Sequence, residues 1–173
     1  MATEKTGDRP VNSKSISSLA ERQLEGKPLV LVVDDNAGQQ KLFLLISEAL
    51  GMVAHIVGNC EEAVAASSYF CFDVILMDLQ LGAEDGLACT NRIREIDKMK
   101  GRHTPIIAVT AHAMSGDKEK CLEAGMDDYL SKPFTMAELK EKLARWLQSK
   151  TEPAIAAPEL QESRDAVNVE HRQ

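Results

Sequence analysis

Residues 29–35 of the chain read LVLVVDD, five consecutive apolar residues followed by two aspartates. A short, continuous apolar run is typical of a strand that is buried on both faces of a parallel sheet. Two further runs have the same form, DVILMD at 73–78 and PIIAVT at 105–110, and each ends on a polar residue. The runs VAHIV at 53–57 and DDYLSK at 127–132 complete a set of five predicted strands.

Helical patterns separate these strands. Apolar residues recur at helical spacing along 39–50, and Gly51 is expected to end that helix. The other predicted helices begin at capping residues, which are Asn59 with Glu62, Asp85, Ser115, and Thr135 with Glu138. Gly125 is expected to end the helix that Ser115 begins. Five strands that alternate with five helices predict an α/β domain, a doubly wound parallel sheet with helices on both faces.

The aromatic residues indicate where the folded domain lies. Every one of them falls between positions 43 and 146, so we expect a single folded domain at 29–148. Residues 1–28 and 149–173 contain no aromatic residue and no sustained apolar pattern, which predicts flexible tails or linkers.

Composition excludes several classes of function. The net charge of −7 argues against a non-specific grip on nucleic acid or on an anionic membrane. No apolar run approaches the ~20 residues that a membrane-spanning helix needs, and the N-terminus lacks a secretory pattern. The four cysteines have neither disulfide-scaffold nor zinc-ligand spacing, which favours a reducing cytoplasm.

Polar residues end four of the five predicted strands, and parallel strands bring their carboxyl ends to one edge of a sheet. We therefore expect Asp34, Asp35, Asp78, Thr110 and Lys132 to lie close together. Three neighbouring carboxylates repel one another unless a divalent cation or a fixed lysine compensates their charge. Oxygen ligands without Cys or His favour Mg²⁺, and a carboxylate beside Mg²⁺, a lysine and a hydroxyl is suited to phosphoryl transfer.

Each of these residues also has an ordinary structural explanation. An aspartate at the end of a strand commonly caps the next helix or turn. Lys132 before Pro133 is then a solvated lysine, and Thr110 is a residue that simply favours strands. The joint occurrence of suitable residue types at four strand ends favours a shared site.

The chain resembles the receiver domains of two-component response regulators over 29–148. The segments LVVDDN, VILMD, AVTA and DDYLSKPF match the pattern of that family in order and in approximate spacing. The resemblance implies a flavodoxin-like sheet with strand order 2-1-3-4-5. It also implies that Asp78 accepts a phosphoryl group from a histidine kinase or from a histidine phosphotransfer protein.

The same resemblance implies a metal site. By this comparison Asp35, Asp78 and the backbone carbonyl of Gln80 bind Mg²⁺, and Asp34 binds it directly or through water.

The resemblance further implies a conformational switch. Thr110 is expected to form a hydrogen bond with the phosphoryl group, and Lys132 to pair with one of its oxygens. The peptide bond between Lys132 and Pro133 is commonly cis in the family. Tyr129 is expected to turn inward and change the surface of the fourth helix, fifth strand and fifth helix, where a downstream protein binds. The alternative for Tyr129 is a fixed, half-buried aromatic.

Two segments depart from the family pattern. Gly82 stands where the family often has proline, so we expect a looser loop there, and 97–104 predict a longer connection before the fourth strand. Gln80 and His112 lie near the expected mouth of the site, either as residues that control water or as solvated loop residues. Gln80 and the string TAHAM at 110–114 resemble receivers of hybrid kinases more than receivers joined to DNA-binding domains.

The leading hypothesis is a phosphorylation-controlled switch or relay module rather than a turnover enzyme, and two other classes compete with it. A Mg²⁺-dependent phosphohydrolase with an Asp nucleophile needs a general acid two residues later, where this chain has Gln80. A nucleotide- or flavin-binding domain needs a glycine-rich phosphate motif after the first strand, which this sequence lacks. A switch is either a stand-alone regulator, which the leading Met and the long C-terminal stretch favour, or the receiver of a hybrid sensor kinase.

Overall fold

The structure, a computed structural model, describes residues 26–111 and 117–148. The strands of its main sheet are β1 (Leu29–Val33), β2 (Val53–Val57), β3 (Val74–Asp78), β4 (Ile106–Thr110) and β5 (Asp128–Ser131). The helices of the described residues are α1 (Ala37–Ala49), α2 (Cys60–Tyr69), α3 (Gly86–Met99), α4 (Asp117–Glu123) and α5 (Met136–Gln148).

All five strands of the main sheet are parallel, in the order β2-β1-β3-β4-β5. This order confirms the predicted doubly wound, flavodoxin-like α/β fold. In β1, Val32 pairs with Ile56 on one side and with Leu76 on the other. Every residue of β1 is fully buried, as expected for a strand with helices on both faces of the sheet.

Two apolar cores lie on opposite faces of the sheet, because successive side chains of a strand alternate between faces. Leu31 belongs to a core that includes Ile93 of α3, and residues of α2 join the same core. Val32 belongs to a second core with Phe43 of α1 and Leu139 of α5. Helices α1 and α5 thus cover one face of the sheet, and α2, α3 and α4 cover the other.

A short antiparallel pair of strands, which the sequence pattern does not predict, follows β3. Gln80–Leu81 pairs with Glu84–Asp85, and the turn between them contains Gly82 at a φ of +61°. Proline is locked near a φ of about −65°, so it cannot adopt this conformation. Gly82 therefore serves a tight turn here, and the expected looseness of this segment stays a prediction.

The connection predicted at 97–104 begins later in the structure, because residues 97–99 belong to α3, and residues 100–105 join α3 to β4. Gly101 has a φ of +61°, which lets the chain turn back after α3. Asp97 then accepts hydrogen bonds from the side chains of Arg94 and Arg102 and from the backbone N–H of Thr104. These bonds hold the connection against α3.

Several expectations concern residues outside the described ranges. The C-terminal tail at 149–173, residues 1–25 of the N-terminal tail, the helix start at Ser115, and His112 all lie there. Among the helices that the structure does describe, none combines the length and apolar character needed to cross a membrane.

Candidate functional site

The carboxyl edge of the sheet brings three of the predicted site residues into direct contact. The Nζ atom of Lys132, which follows β5, lies 3.0 Å from Oδ2 of Asp34 and 2.7 Å from Oδ2 of Asp78. Asp34 follows β1 and Asp78 ends β3, so residues from three separate strands meet at this point. The expectation that these strand ends converge is met for this trio.

Asp34 is the most enclosed member of the site. It is buried, its Oδ1 accepts a hydrogen bond from the N–H of Asn36 at 2.9 Å, and its Oδ2 is occupied by Lys132. Burial raises the pKa of Asp34 above its usual value, and the Asn36 and Lys132 hydrogen bonds only partly offset that effect. The backbone carbonyl of Asp34 also accepts a hydrogen bond from Nε2 of Gln40 at 2.6 Å, a contact that sequence reasoning missed.

Lys132 is held as a cation by the two aspartates. Burial alone lowers the pKa of a lysine, but hydrogen bonds to Asp78 and Asp34 outweigh burial and raise the pKa of Lys132. Its ammonium group is therefore a fixed positive charge between two carboxylates. The Lys132–Pro133 peptide bond is cis, as the resemblance implies.

Asp35 and Asp78 supply the carboxylates that face the opening. Asp35 is exposed and accepts no hydrogen bond from the described part of the chain, and a Cβ atom on Gly82 would lie 3.4 Å from its Oδ2. Asp78 uses Oδ2 for Lys132, while its Oδ1 accepts a hydrogen bond from the N–H of Gln80 at 3.0 Å. Gln80 is thereby fixed directly beside the Asp78 carboxylate.

Gly86 packs closely against the backbone of Asp78, a contact that sequence reasoning missed. A Cβ atom at Gly86 would lie only 2.2 Å from the backbone oxygen of Asp78, a distance that no side chain tolerates. The N–H of Gly86 donates to the backbone oxygen of Leu79 at 3.0 Å, which fixes this close approach. The only sequence signal is a glycine directly after the predicted cap Asp85, and that signal does not indicate the contact.

Thr110 and Tyr129 come from the neighbouring strands. Asp78 pairs with Val109 in the sheet, so the buried Thr110 lies one residue beyond this pair at the carboxyl edge. Tyr129 is half-buried in β5 and packs against the core on the α2 and α3 face. Burial raises the pKa of Tyr129, and the neighbouring Cys121 and Asp117 of α4 raise it further.

A cavity of about 680 Å³ lies over this edge of the sheet. Asp35, Asp78, Gln80 and Lys132 line it, together with Glu84 from the short antiparallel pair. Its charged lining is mostly carboxylate, with one ammonium group. Such a cavity is suited to a cation and to the phosphoryl oxygens that a cation and a lysine attract.

The donor set fits Mg²⁺ rather than a softer metal. Within residues 26–111 and 117–148, no three His, Cys, Asp or Glu side chains already form a metal-binding cluster. Asp34 is engaged by Lys132 and Asn36, whereas the carboxylates of Asp35 and Asp78 line the cavity and offer only oxygen donors. Mg²⁺ is bound by few protein oxygens and keeps several waters, so this sparse set of oxygens is sufficient for it.

The model of the response regulator receiver domain family matches residues 30–144. The chain belongs to this family. Among curated relatives, hybrid signal transduction histidine kinase I of Dictyostelium discoideum is 38% identical over 144 residues, which are 80% of this chain and 8% of the relative. The signal transduction histidine-protein kinase BarA of Escherichia coli K12 is 37% identical over 134 residues, 77% of this chain and 14% of BarA. This receiver domain therefore spans only a small part of the length of these relatives.

Solved receiver domains share the fold. The receiver domain of a sensor histidine kinase from Pseudomonas aeruginosa PAO1 is 41% identical, with a TM-score of 0.65 over 70% of this chain and 98% of the other. That receiver was solved with a magnesium ion coordinated in its active-site cleft. The Saccharomyces cerevisiae Ssk1 receiver domain, solved with the histidine phosphotransfer protein Ypd1, is 29% identical, with a TM-score of 0.68 over 75% of this chain and 94% of the other.

Proposed function

We propose that this receiver domain is a phosphorylation-controlled switch or relay module of a two-component phosphorelay, in which Asp78 accepts the phosphoryl group. The observation that carries the proposal is the position of the Lys132 ammonium group, 2.7 Å from Asp78 and 3.0 Å from Asp34. A half-buried carboxylate beside a fixed cation, at an acidic cavity open to a partner, is arranged for phosphoryl transfer.

The donor is the phosphohistidine of a histidine kinase or of a histidine phosphotransfer protein. Curated relatives of this chain include a hybrid signal transduction histidine kinase and the histidine-protein kinase BarA, and a receiver domain of the same fold was solved with a histidine phosphotransfer protein. A net charge of −7 argues against nucleic acid as the partner.

The transfer is a nucleophilic substitution at phosphorus. A carboxylate oxygen of Asp78 forms the new O–P bond while the N–P bond of the phosphohistidine breaks, and the imidazole keeps that electron pair and takes up a proton. Lys132 stays an ammonium group and neutralises charge on the phosphoryl oxygens. The Gln80 N–H holds Asp78 in position through its hydrogen bond to Oδ1.

The metal ligands are Asp35, Asp78 and the backbone carbonyl of Gln80, with Asp34 acting through water because its oxygens are engaged. When bound, Mg²⁺ supplies positive charge that balances the carboxylates and the oxygens of the incoming phosphoryl group. Support comes from the all-oxygen donor set and from the magnesium ion in the related P. aeruginosa receiver.

Phosphorylation changes the surface formed by α4, β5 and α5, where a downstream protein binds. The hydroxyl of Thr110 bonds the new phosphoryl group, and Tyr129 turns inward beside α4. Support comes from Thr110 at the carboxyl edge and from Tyr129 next to Cys121 and Asp117.

The domain works as a switch and not as a phosphohydrolase with turnover. A hydrolase of this kind needs a carboxylic acid two residues after its nucleophile, and Gln80 has an amide there. We further propose a cytoplasmic location, since all four cysteines are free and three of them are buried.

The experiment uses Mg²⁺ and a small acyl phosphate or amidophosphate donor, with intact-mass spectrometry as the readout. The wild-type protein is expected to gain the mass of one phosphoryl group, and Asp78→Ala to gain none. Glu95→Ala, which removes an exposed carboxylate of α3, is the matched control and should react like the wild type. An unchanged mass for the wild type, or a gain that survives Asp78→Ala, contradicts the proposal.

A further inference from the structure

The side chain of Gln39, a residue of the candidate site's cavity, contains an unpartnered polar atom. The Oε1 atom of Gln39 is buried and accepts no hydrogen bond within the described part of the chain. Gln39 lines the cavity together with Asp35, Asp78 and Gln80. An unpaired buried acceptor is unfavourable, so this atom, on a residue that lines the cavity, indicates a ligand that completes its hydrogen bonding.

The usual structural role of a glutamine at this position is filled by another residue. Gln39 lies three residues after the helix cap Asn36, and in a capping box this residue bonds to the backbone N–H of the cap. In α1, however, the N–H of Asn36 donates to Oδ1 of Asp34 at 2.9 Å. The side chain of Gln39 is therefore not required to begin the helix.

In two other helices, the residue three positions after the helix cap forms a hydrogen bond back to the backbone. At the same place in α5, Glu138 accepts a hydrogen bond from the N–H of its cap Thr135 at 2.7 Å. In α2, Glu62 turns back to the N–H of Gly58 at 3.1 Å. Gln39 makes no such return contact and lines the cavity instead.

We propose that Gln39 is a positioning residue of the cation site, whose Oε1 atom accepts a hydrogen bond from a water molecule in the hydration shell of bound Mg²⁺. The inference rests on the proposed magnesium site of Asp35, Asp78 and Gln80. Few protein ligands leave several waters on Mg²⁺, and each of these waters needs an acceptor. A neutral amide provides one without adding a charge to an edge that is already acidic.

The test compares wild type with Gln39→Met, which keeps the length and helix propensity of the side chain but removes its polar atoms. Urea unfolding of the unphosphorylated protein is measured with and without Mg²⁺. Without Mg²⁺ the variant is expected to be at least as stable as wild type, since no buried acceptor is left unpaired. The variant should gain less stability from Mg²⁺ than wild type does, by an amount that corresponds to roughly three- to tenfold weaker Mg²⁺ binding. Equal Mg²⁺ affinity in the two proteins overturns the proposal.

A second variant and a control make the effect specific. Gln39→Glu keeps an acceptor oxygen and is expected to bind Mg²⁺ at least as tightly as wild type, whereas a loss equal to that of Gln39→Met contradicts the role. Leu42→Met, an exposed change on the same helix, should leave Mg²⁺ affinity unchanged, and an equal loss there also overturns the proposal. Failure of the metal site itself has a different signature, because the wild type then gains no stability from Mg²⁺.

Discussion

The two edges of the sheet contain clusters of acidic residues that are neutralised to very different degrees. At the amino edge, Asp97 and Asp127 share Arg94, and Asp97 also binds Arg102, so two acids face two guanidinium groups. At the carboxyl edge, Asp34 and Asp78 share Lys132, while Asp35 remains exposed. An ion-pair cluster that is internally satisfied stabilises the fold, whereas a cluster with surplus charge is available for a cation.

The hydrogen bonds of the two edges differ in the same way. Oxygens of Asp97 accept bonds from Arg94, from Arg102, and from both the N–H and the hydroxyl of Thr104. Removal of one partner from such a buried, multiply bonded carboxylate is strongly destabilising. At the opposite edge the oxygen of Gln39 is buried and unpartnered, and Gln39 lines the cavity at that edge.

The largest loss of stability is expected at the amino edge. Asp97→Asn removes the charge that faces Arg94 and Arg102 in a buried setting, so the free energy of unfolding should fall by about 3 kcal/mol. Urea denaturation measures this change. The matched control is Glu61→Gln, which breaks the exposed pair with Arg92 and should have little effect. Equal losses in the two variants contradict the structural role of the amino-edge cluster.

Gly86→Ala is expected to damage both stability and reaction. Its methyl group meets the backbone oxygen of Asp78, and overpacking of this kind costs about 2 kcal/mol. The Asp78 carboxylate must shift, so the rate of phosphorylation by a small donor should fall as well. Gly58→Ala is the matched control, because Gly58 also has no positive φ and its added Cβ atom would make only an ordinary contact of 3.5 Å with Nε2 of Gln40. Equal reaction rates in Gly86→Ala and wild type contradict the contact.

Some features of the carboxyl edge can be predicted from sequence and others cannot, for a physical reason. The strand ends Asp34, Asp78 and Lys132 could be placed together because parallel topology dictates which ends meet. The short antiparallel pair at Gln80–Leu81 and Glu84–Asp85 could not, since two residues per strand carry no periodic pattern. The role of Gly86 depends on its close approach to the backbone of Asp78 in the folded protein. The role of Gln39 depends on Asp34 accepting the hydrogen bond from the N–H of Asn36. Local sequence indicates neither contact.

Acid sensitivity is expected to come from the amino edge. Burial works to raise the pKa of Asp97, but hydrogen bonds from Arg102 and Thr104 outweigh burial and hold this pKa below 3.8. A lowered folded-state pKa contributes stability that is full above pH 3.8 and is lost as pH falls through the folded value. Unfolding free energies measured from pH 5 downward should therefore fall less steeply in Asp97→Asn than in wild type. Parallel pH curves contradict this assignment.

The smallest effect on stability is expected at Asp35. Asp35→Asn removes an exposed charge that is repelled by its neighbours, so the free energy of unfolding without Mg²⁺ should stay the same or rise. Stabilisation by Mg²⁺ should be lost in the same variant. Urea unfolding with and without Mg²⁺ measures both changes, and a marked loss of stability without the metal would mean that Asp35 is structural.

The most direct measurement locates the phosphoryl group by peptide mapping with mass spectrometry, after reaction with a small phosphodonor in the presence and absence of Mg²⁺. We expect a single modified residue, Asp78, and a modification that depends on Mg²⁺. A phosphoryl group on any other residue, or on Asp78 to the same extent without the metal, would contradict the role assigned to the carboxyl edge.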